Sequence, residues 1–346
     1  MRITSIKLLI FLIIWACQPS TCGDSLSFDD DYPPIRSATF FGRRFAWIIR
    51  DDGGMNKSDD EGNTWQTFSK EVVDGFRPLS FTHNTQGWMI GRHGQVYRTG
   101  DGGKSWEVIS EIAPHRKLGF FIRSIDFTNS LNGFAIEMPG FLWRSNNGGK
   151  HWSELPLFSP SQDFKSLTSI STFGTSQIWI GGVRGLLLYS SDGGSTWQDR
   201  SLSVEAHFED LHFLDKNYGW AIIGSQLFSS ANGGSTWAYN PVLLSRTRNI
   251  QLLSVYFANK RLGVVVGGEY KKKSTSYKVS EMRGVIFLTR NAGQSWQEIN
   301  LDSDFSLLTK VYFSDSKNGW MISRNTVYRT TNGGLNWKSR LVVGKN

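Results

Sequence analysis

The stretch that decides the fold is YRTTNGGLNW, residues 328–337. Its frame is Ser/Thr, any residue, Asp/Asn, any residue, Gly, any residue, a mostly small polar residue, Trp. The same frame recurs as SDDEGNTW (58–65), TGDGGKSW (99–106), SNNGGKHW (145–152), SSDGGSTW (190–197), SANGGSTW (230–237), TRNAGQSW (289–296) and TTNGGLNW (330–337). Successive box tryptophans stand 41, 46, 45, 40, 59 and 41 positions apart. A repeat of about 40 to 50 residues marks stacked supersecondary units, each needing its neighbours to bury its apolar face. A ligand loop is rarely copied seven times at even spacing, whereas a turn that every unit needs is.

A second frame precedes each box, as in IRSIDFTNSLNGFAIE (122–137), FEDLHFLDKNYGWAII (208–223) and LTKVYFSDSKNGWMIS (308–323). Apolar and polar residues alternate, cross a Gly/Asn/Asp/Ser turn, and run into an apolar segment, which is the strand and hairpin pattern. A third strand (QVYRT, FLWRS, LLLYS, TVYRT) leads into the box and a fourth follows its Trp. Four short strands per unit and seven units predict an all-β, seven-bladed β-propeller over residues 35–346. No segment shows helical periodicity.

Box chemistry fits a turn. The first hydroxyl and the Asp/Asn oxygen suit hydrogen bonds to their own hairpin, Gly supplies positive φ, and the Trp is expected to wedge between blades. The central residue is Asp60, Asp101, Asn147, Asp192, Asn232, Asn291 or Asn332. A metal ligand or catalytic acid does not exchange freely with an amide, while a turn acceptor does.

These boxes resemble the Asp-box, or bacterial neuraminidase repeat, of sialidases, sortilin-type receptors and some glycoside hydrolases. With a GW pair before many boxes and seven units, the chain is most similar to the photosystem II assembly and stability factors of cyanobacteria and chloroplasts. That resemblance spans about residues 35–346 and implies a chaperone that engages reaction-centre subunits on the lumenal side. The motif is specific for fold and weakly specific for function.

The start, MRITSIKLLIFLIIWAC, pairs Arg2 and Lys7 with an apolar run from Leu8 to Ala16. That run is too short to span a bilayer and suits a signal peptide over residues 1–16. IWAC resembles a bacterial lipobox, which makes Cys17 the expected acylation site. Residues 17–34, with DDD and PP, read as a polar tether, so the protein is expected to be exported and lipid-anchored on the periplasmic or thylakoid-lumen side. The formal charge of +8 on 346 residues becomes +6 without Arg2 and Lys7. It favours an anionic partner or membrane surface without selecting nucleic acid.

Several motifs fail. GGKSW lacks the first glycine of a phosphate loop because Arg98 stands there, no histidine pair has zinc spacing, and no nucleophile elbow is present. Neither cofactor nor metal is called for. A glycosidase needs two carboxylates facing across a pocket; Asp51, Asp52, Glu137, Glu205 and Glu209 are the candidates, and nothing in the sequence pairs them.

In a four-stranded meander the one–two and three–four turns share one face, here the box face. The two–three turns and blade links share the other. That second face is expected to carry Arg50, Arg92, Arg184 and Arg324 at similar positions, with Arg246, Arg248 and the Lys271, Lys272, Lys273 run of an insertion. The favoured reading is a non-enzymatic, monomeric scaffold whose basic face docks an acidic protein segment, since the arginine fork pairs carboxylates bidentately. The alternative is a carbohydrate-active enzyme or glycan-binding protein using the same face.

Overall fold

Period-two alternation demands that every strand put one row of side chains toward a neighbouring sheet, and the computed structural model shows how that demand is met. It describes residues 35–68, 78–91, 93–113, 122–138, 140–157, 166–242, 248–270, 282–300 and 306–342. The expected leader, Cys17 and the tether lie outside the described residues. Twenty-eight strands form seven four-stranded antiparallel sheets, each in plain chain order. No helix occurs among the described residues. The fold is the expected seven-bladed β-propeller.

The first strands are Ile35–Phe41, Leu79–Phe81, Ile122–Phe127, Leu167–Phe173, Phe208–Phe213, Ile250–Phe257 and Leu308–Phe313. They neighbour one another around the axis. Side chains on one such strand accept backbone N–H bonds from the next: Ser80 from Phe127 (3.0 Å), Ser171 from Phe213 (2.9 Å), Asp210 from Val255 (3.0 Å) and Ser254 from Val311 (3.3 Å).

Blades pack through a recurrent aromatic triad. The Trp of a GW or equivalent position in one blade stacks flat on the Phe of the next blade's first strand: Trp47 on Phe81, Trp88 on Phe127 and Trp179 on Phe213 at 3.8 Å, Trp220 on Phe257 at 3.6 Å, with planes within 10°. That Phe in turn meets its own box Trp edge-on, as Phe127 does Trp152 and Phe313 does Trp337. Each such pair adds about 0.5–1.5 kcal/mol beyond the area it buries. The GW glycine exists because the same Phe lies over it; a Cβ on Gly219 would come within 2.4 Å of the Phe213 ring.

Every box is the expected turn. Its first hydroxyl accepts the N–H of the fifth residue, as Ser190 does from Gly194 at 2.8 Å, and donates to the Asp/Asn oxygen two residues on. Asp192 accepts the Thr196 N–H at 2.9 Å and the Thr196 hydroxyl at 2.7 Å. Asn232 accepts the Thr236 N–H at the same 2.9 Å, but its amide donates to the hydroxyl instead. That reversal is why Asp and Asn interchange. The fourth and fifth residues both have positive φ in all seven boxes, and the fourth is Gly except at Glu61 and Ala292.

The ring closes without a shared sheet. Blade 1 is built wholly from residues 35–68 and blade 7 from 308–342. Their seam is held by Ile35 donating to the Arg324 carbonyl (2.7 Å), Trp65 donating to the Arg340 carbonyl (3.1 Å), and an apolar layer with Phe40, Ile48, Trp320 and Val327. Arg329, its side chain fully buried, lies against Trp320 and donates to Asn318, the Arg43 carbonyl and Glu61.

Candidate docking face and axial channel

The second face is built from strand ends and the turns between strands two and three. Arg50 ends strand two of blade 1 (Phe45–Arg50). Its guanidinium donates to Asp52 at 3.1 and 3.4 Å and to Asn56 at 2.9 Å, so it braces its own turn. Arg184 has positive φ (52°) at the tip of the blade 4 turn. It is 73% exposed, and its nearest carboxylate is that of Glu205 at 3.9 Å. Arg324 sits in the blade 7 turn, half-buried, its carbonyl accepting from Ile35. Arg248 is clamped by Glu269 and Glu298, and Arg283 joins the same two carboxylates at 3.1 and 3.3 Å. Arg92, Arg246, Lys271, Lys272 and Lys273 lie outside the described residues. Of the residues expected on the second face, Arg50, Arg184, Arg248 and Arg324 are described, and at Arg50, Arg184 and Arg248 acids stand beside them.

Of the candidate carboxylates, Asp51 takes a bidentate bond from Arg36 (2.5 and 3.0 Å) and Asp52 pairs with Arg50. Glu137 is buried and accepts from the Trp143 indole at 2.7 Å. Glu205 is exposed beside Arg184. Glu209 differs. Burial pushes its carboxyl up to about 7, the Arg123 charge opposing and the Asp210 charge reinforcing the shift.

Glu209 owes its place to a device the sequence reading missed. In six first strands the register skips one residue near the second face: Arg36, Arg123, Thr168, Glu209, Leu253 and Thr309 each have no direct partner on strand two. Such a bulge bends the strand and re-aims a side chain. Arg123 of blade 3 and Glu209 of blade 5 stand at equivalent bulges of two first strands, and each shifts the other's titration. Lys310 of blade 7 reaches past blade 6 to Asp210 of blade 5 at 3.0 Å. Asp126, half-buried, accepts from Thr172, and desolvation raises its carboxyl while the Thr172 bond and the Lys310 charge oppose the shift. Burial holds His212 down to about 4, so it is neutral there near pH 7. The signal was present in the aligned IRS, IRS, LTS, FED, LLS and LTK triplets, but alternation alone assigns one residue per register step and hides an extra one.

The class is therefore a seven-bladed propeller whose polar axial channel opens on an arginine- and carboxylate-bearing face. Residues 57–162 match the family model of the photosynthesis system II assembly factor YCF48. Among solved structures it resembles YCF48 bound to a D1 peptide (19% identity, 87% of this chain and 90% of that one, TM-score 0.64). It also resembles YCF48 from Cyanidioschyzon merolae (19%, 88% and 97%, 0.66). The GH74 xyloglucanase from Xanthomonas campestris shares the fold too, at 12% identity over 90% of this chain and 55% of the enzyme, TM-score 0.68. No curated protein matches by sequence.

Proposed function

We propose that this chain is a non-enzymatic docking propeller, held at a membrane through Cys17 and the tether of residues 17–34. Its second face receives a subunit of a membrane complex during assembly. The observation that carries this reading is the match of residues 57–162 to the assembly-factor family, supported by the likeness to a factor seen with a D1 peptide. The partner segment is acidic: Arg184 is exposed at a turn tip, with its nearest carboxylate at the edge of ion-pair distance, and the sequence sets Arg92 and Arg324 at matching positions of repeats 2 and 7. Photosystem II is the complex in question if the source is photosynthetic, and an analogous membrane assembly otherwise.

The test is affinity capture from native membranes with mass spectrometry, comparing wild type with Arg92→Glu/Arg184→Glu/Arg324→Glu. Exposed pairs are individually worth about 0.2–1 kcal/mol, so the triple change is needed. Partner yield is expected to fall about tenfold with the thermal midpoint unchanged, and wild-type capture to weaken as the screening length shrinks to about 8 Å at physiological salt. Equal capture by the triple variant sinks the proposal. Loss of palmitate-analogue labelling in Cys17→Ser checks the anchor.

A second reading, a carbohydrate-active propeller, draws on Glu209, whose carboxyl sits near 7, where a general acid operates well. Turnover of oligosaccharides that disappears in Glu209→Gln would replace the docking proposal.

A further inference from the structure

The box face carries its own charge pattern. In blade 5 the turn between strands one and two presents Lys216, in blade 6 Lys260 and Arg261, in blade 7 Lys317, and box 6 adds Arg290; all five are exposed. Turn and box of one blade are stitched side by side: Gly233 donates to the Asn217 carbonyl, Ala292 to that of Arg261 and Gly333 to that of Lys317 (2.8, 3.0 and 2.9 Å). Lys260 pairs with Asp215 at 3.8 Å, and Arg290 donates to the Asn332 carbonyl at 3.4 Å. Lys216, Arg261 and Lys317 have no carboxylate partner among the described residues.

The boxes beside these cations all carry Asn, as box 3 does with Asn147. Boxes 5, 6 and 7 carry Asn232, Asn291 and Asn332, whereas boxes 1, 2 and 4 carry Asp60, Asp101 and Asp192. Asn makes the same backbone bond as Asp at this position, so the turn does not need the choice. Its consequence is electrostatic: three contiguous blades keep the turn and lose the anion. Only Asp215 and Asp315 remain among the turns and boxes of that sector.

We propose that the box face of blades 5 to 7 is a docking surface for an anionic phospholipid bilayer. The cations stand on separate turn tips of three adjacent blades at one end of the ring. Such an array suits an extended anionic surface better than a peptide, which needs a groove. Leu335 of box 7 is a large apolar side chain exposed on this sector (41%), and Phe173 of blade 4 (44%) and Leu131 of blade 3 (55%) continue the box face beyond it, as on proteins that rest in the headgroup layer. Docked so, the protein turns its second face away from the bilayer and leaves it open to a partner. Residues 18–34 reach at most about 60 Å when extended, more than the roughly 27 Å that a strand of at most eight residues rises. A tether leaving from Ile35 can therefore pass the ring to the membrane.

The experiment compares binding of the full chain to vesicles of phosphatidylcholine and of phosphatidylcholine with one third phosphatidylglycerol. An acyl chain or apolar leader inserts into both, so the difference reads the cationic turns. Wild type is expected to bind the anionic vesicles at least about tenfold more tightly at low salt and to lose that preference as salt screens it. Lys216→Glu/Arg261→Glu/Lys317→Glu and, separately, Asn232→Asp/Asn291→Asp/Asn332→Asp are expected to abolish most of the preference. The second set keeps the turn bonds and hence the thermal midpoint. Equal binding of wild type to both vesicles overturns the proposal, as does an undiminished preference in the Asn-to-Asp variant. The docking function is read independently, through partner capture by the second face.

Discussion

Blade 2 meets blade 3 through Trp88, Phe127 and Gly148, and blade 7 meets blade 1 through Trp320, Phe40 and Glu61. In the first interface the indole stacks at 3.8 Å and donates to the Gly148 carbonyl at 2.8 Å. In the second the rings are 5.2 Å apart and the buried Trp320 N–H has no partner among the described residues. The pattern is general. Trp47, Trp88 and Trp179 donate to Gly102, Gly148 and Gly233, the fourth residues of the following boxes. Trp220 and Trp320, which face Ala292 and Glu61 at that place, have no acceptor among the described residues. One sequence word therefore gives two interfaces, and the difference is set a blade away. At the seam the missing bond is offset by the buried Arg329 and its link to Glu61, the residue that displaced the glycine.

The strongest way to break this comparison is Arg329→Met. It leaves Asn318 and the Arg43 carbonyl without this donor and Glu61 with Arg43 alone, and a buried acceptor left unpaired costs about 1–3 kcal/mol. The urea midpoint is expected to fall accordingly, with amides of Ile35–Phe41 and Lys338–Val342 exchanging first. A midpoint equal to wild type would show that apolar packing alone closes the ring.

A pair of variants sharpens it. Trp88→Phe and Trp220→Phe lose similar ring area, but only the first forfeits a hydrogen bond, while the second deletes an unsatisfied donor. Trp88→Phe is expected to be the more destabilising by about 1–2 kcal/mol. Equal losses would mean the indole N–H is immaterial. In the opposite direction, Ala292→Gly relieves a positive φ of 63° and gives Trp220 the box glycine that its better-bonded counterparts have. A gain of about 0.5–1 kcal/mol in thermal stability is expected, and a loss would detach the missing bond from the missing glycine.

The smallest effect separates Asp boxes from Asn boxes and appears only in acid. At Asp101 burial raises the carboxyl, but bonds from Ser105 and Thr99 outweigh it and hold it down at about 2. Bonds from Thr196 hold Asp192 well below the ordinary range. A folded pKa below the unfolded value of about 4 gives stability that is complete above pH 4 and lost as pH falls through the folded value near 2. Asp60→Asn/Asp101→Asn/Asp192→Asn is expected to flatten the acid limb of the melting profile and leave pH 7 nearly unchanged. An unaltered acid limb would assign acid unfolding to other carboxylates.

The blade count, strand order and turn role of the boxes were legible because each is repeated, and repetition averages out local ambiguity. The box Trp was read as the wedge between blades; Trp152 and Trp337 do lie in inter-blade cores. The more deeply buried partner is the GW tryptophan, whose role depends on a Phe some forty residues downstream that no local pattern links to it. The turns that carry Arg50, Arg184 and Arg324 follow from the meander topology. The acids beside Arg248 were not foreseen, because Glu269 and Glu298 approach it from two strands of a blade whose long hairpin separates them in sequence. The axial channel was least legible of all, since it depends on a bulge.

Because each blade is built from four consecutive strands, the boundary between blades 7 and 1, like the other six, divides two whole sheets. The first strand begins, and the last strand ends, on the same side of the ring where every inter-blade link runs. The starting point of the polypeptide is thus arbitrary with respect to the architecture. Joining residue 342 to residue 35 by a short linker and opening the chain at another link, such as that between Glu111 and Ile122, is a circular permutation that keeps all seven sheets whole. It would also move the attachment point of residues 1–34 to a different sector of the ring without changing a single blade.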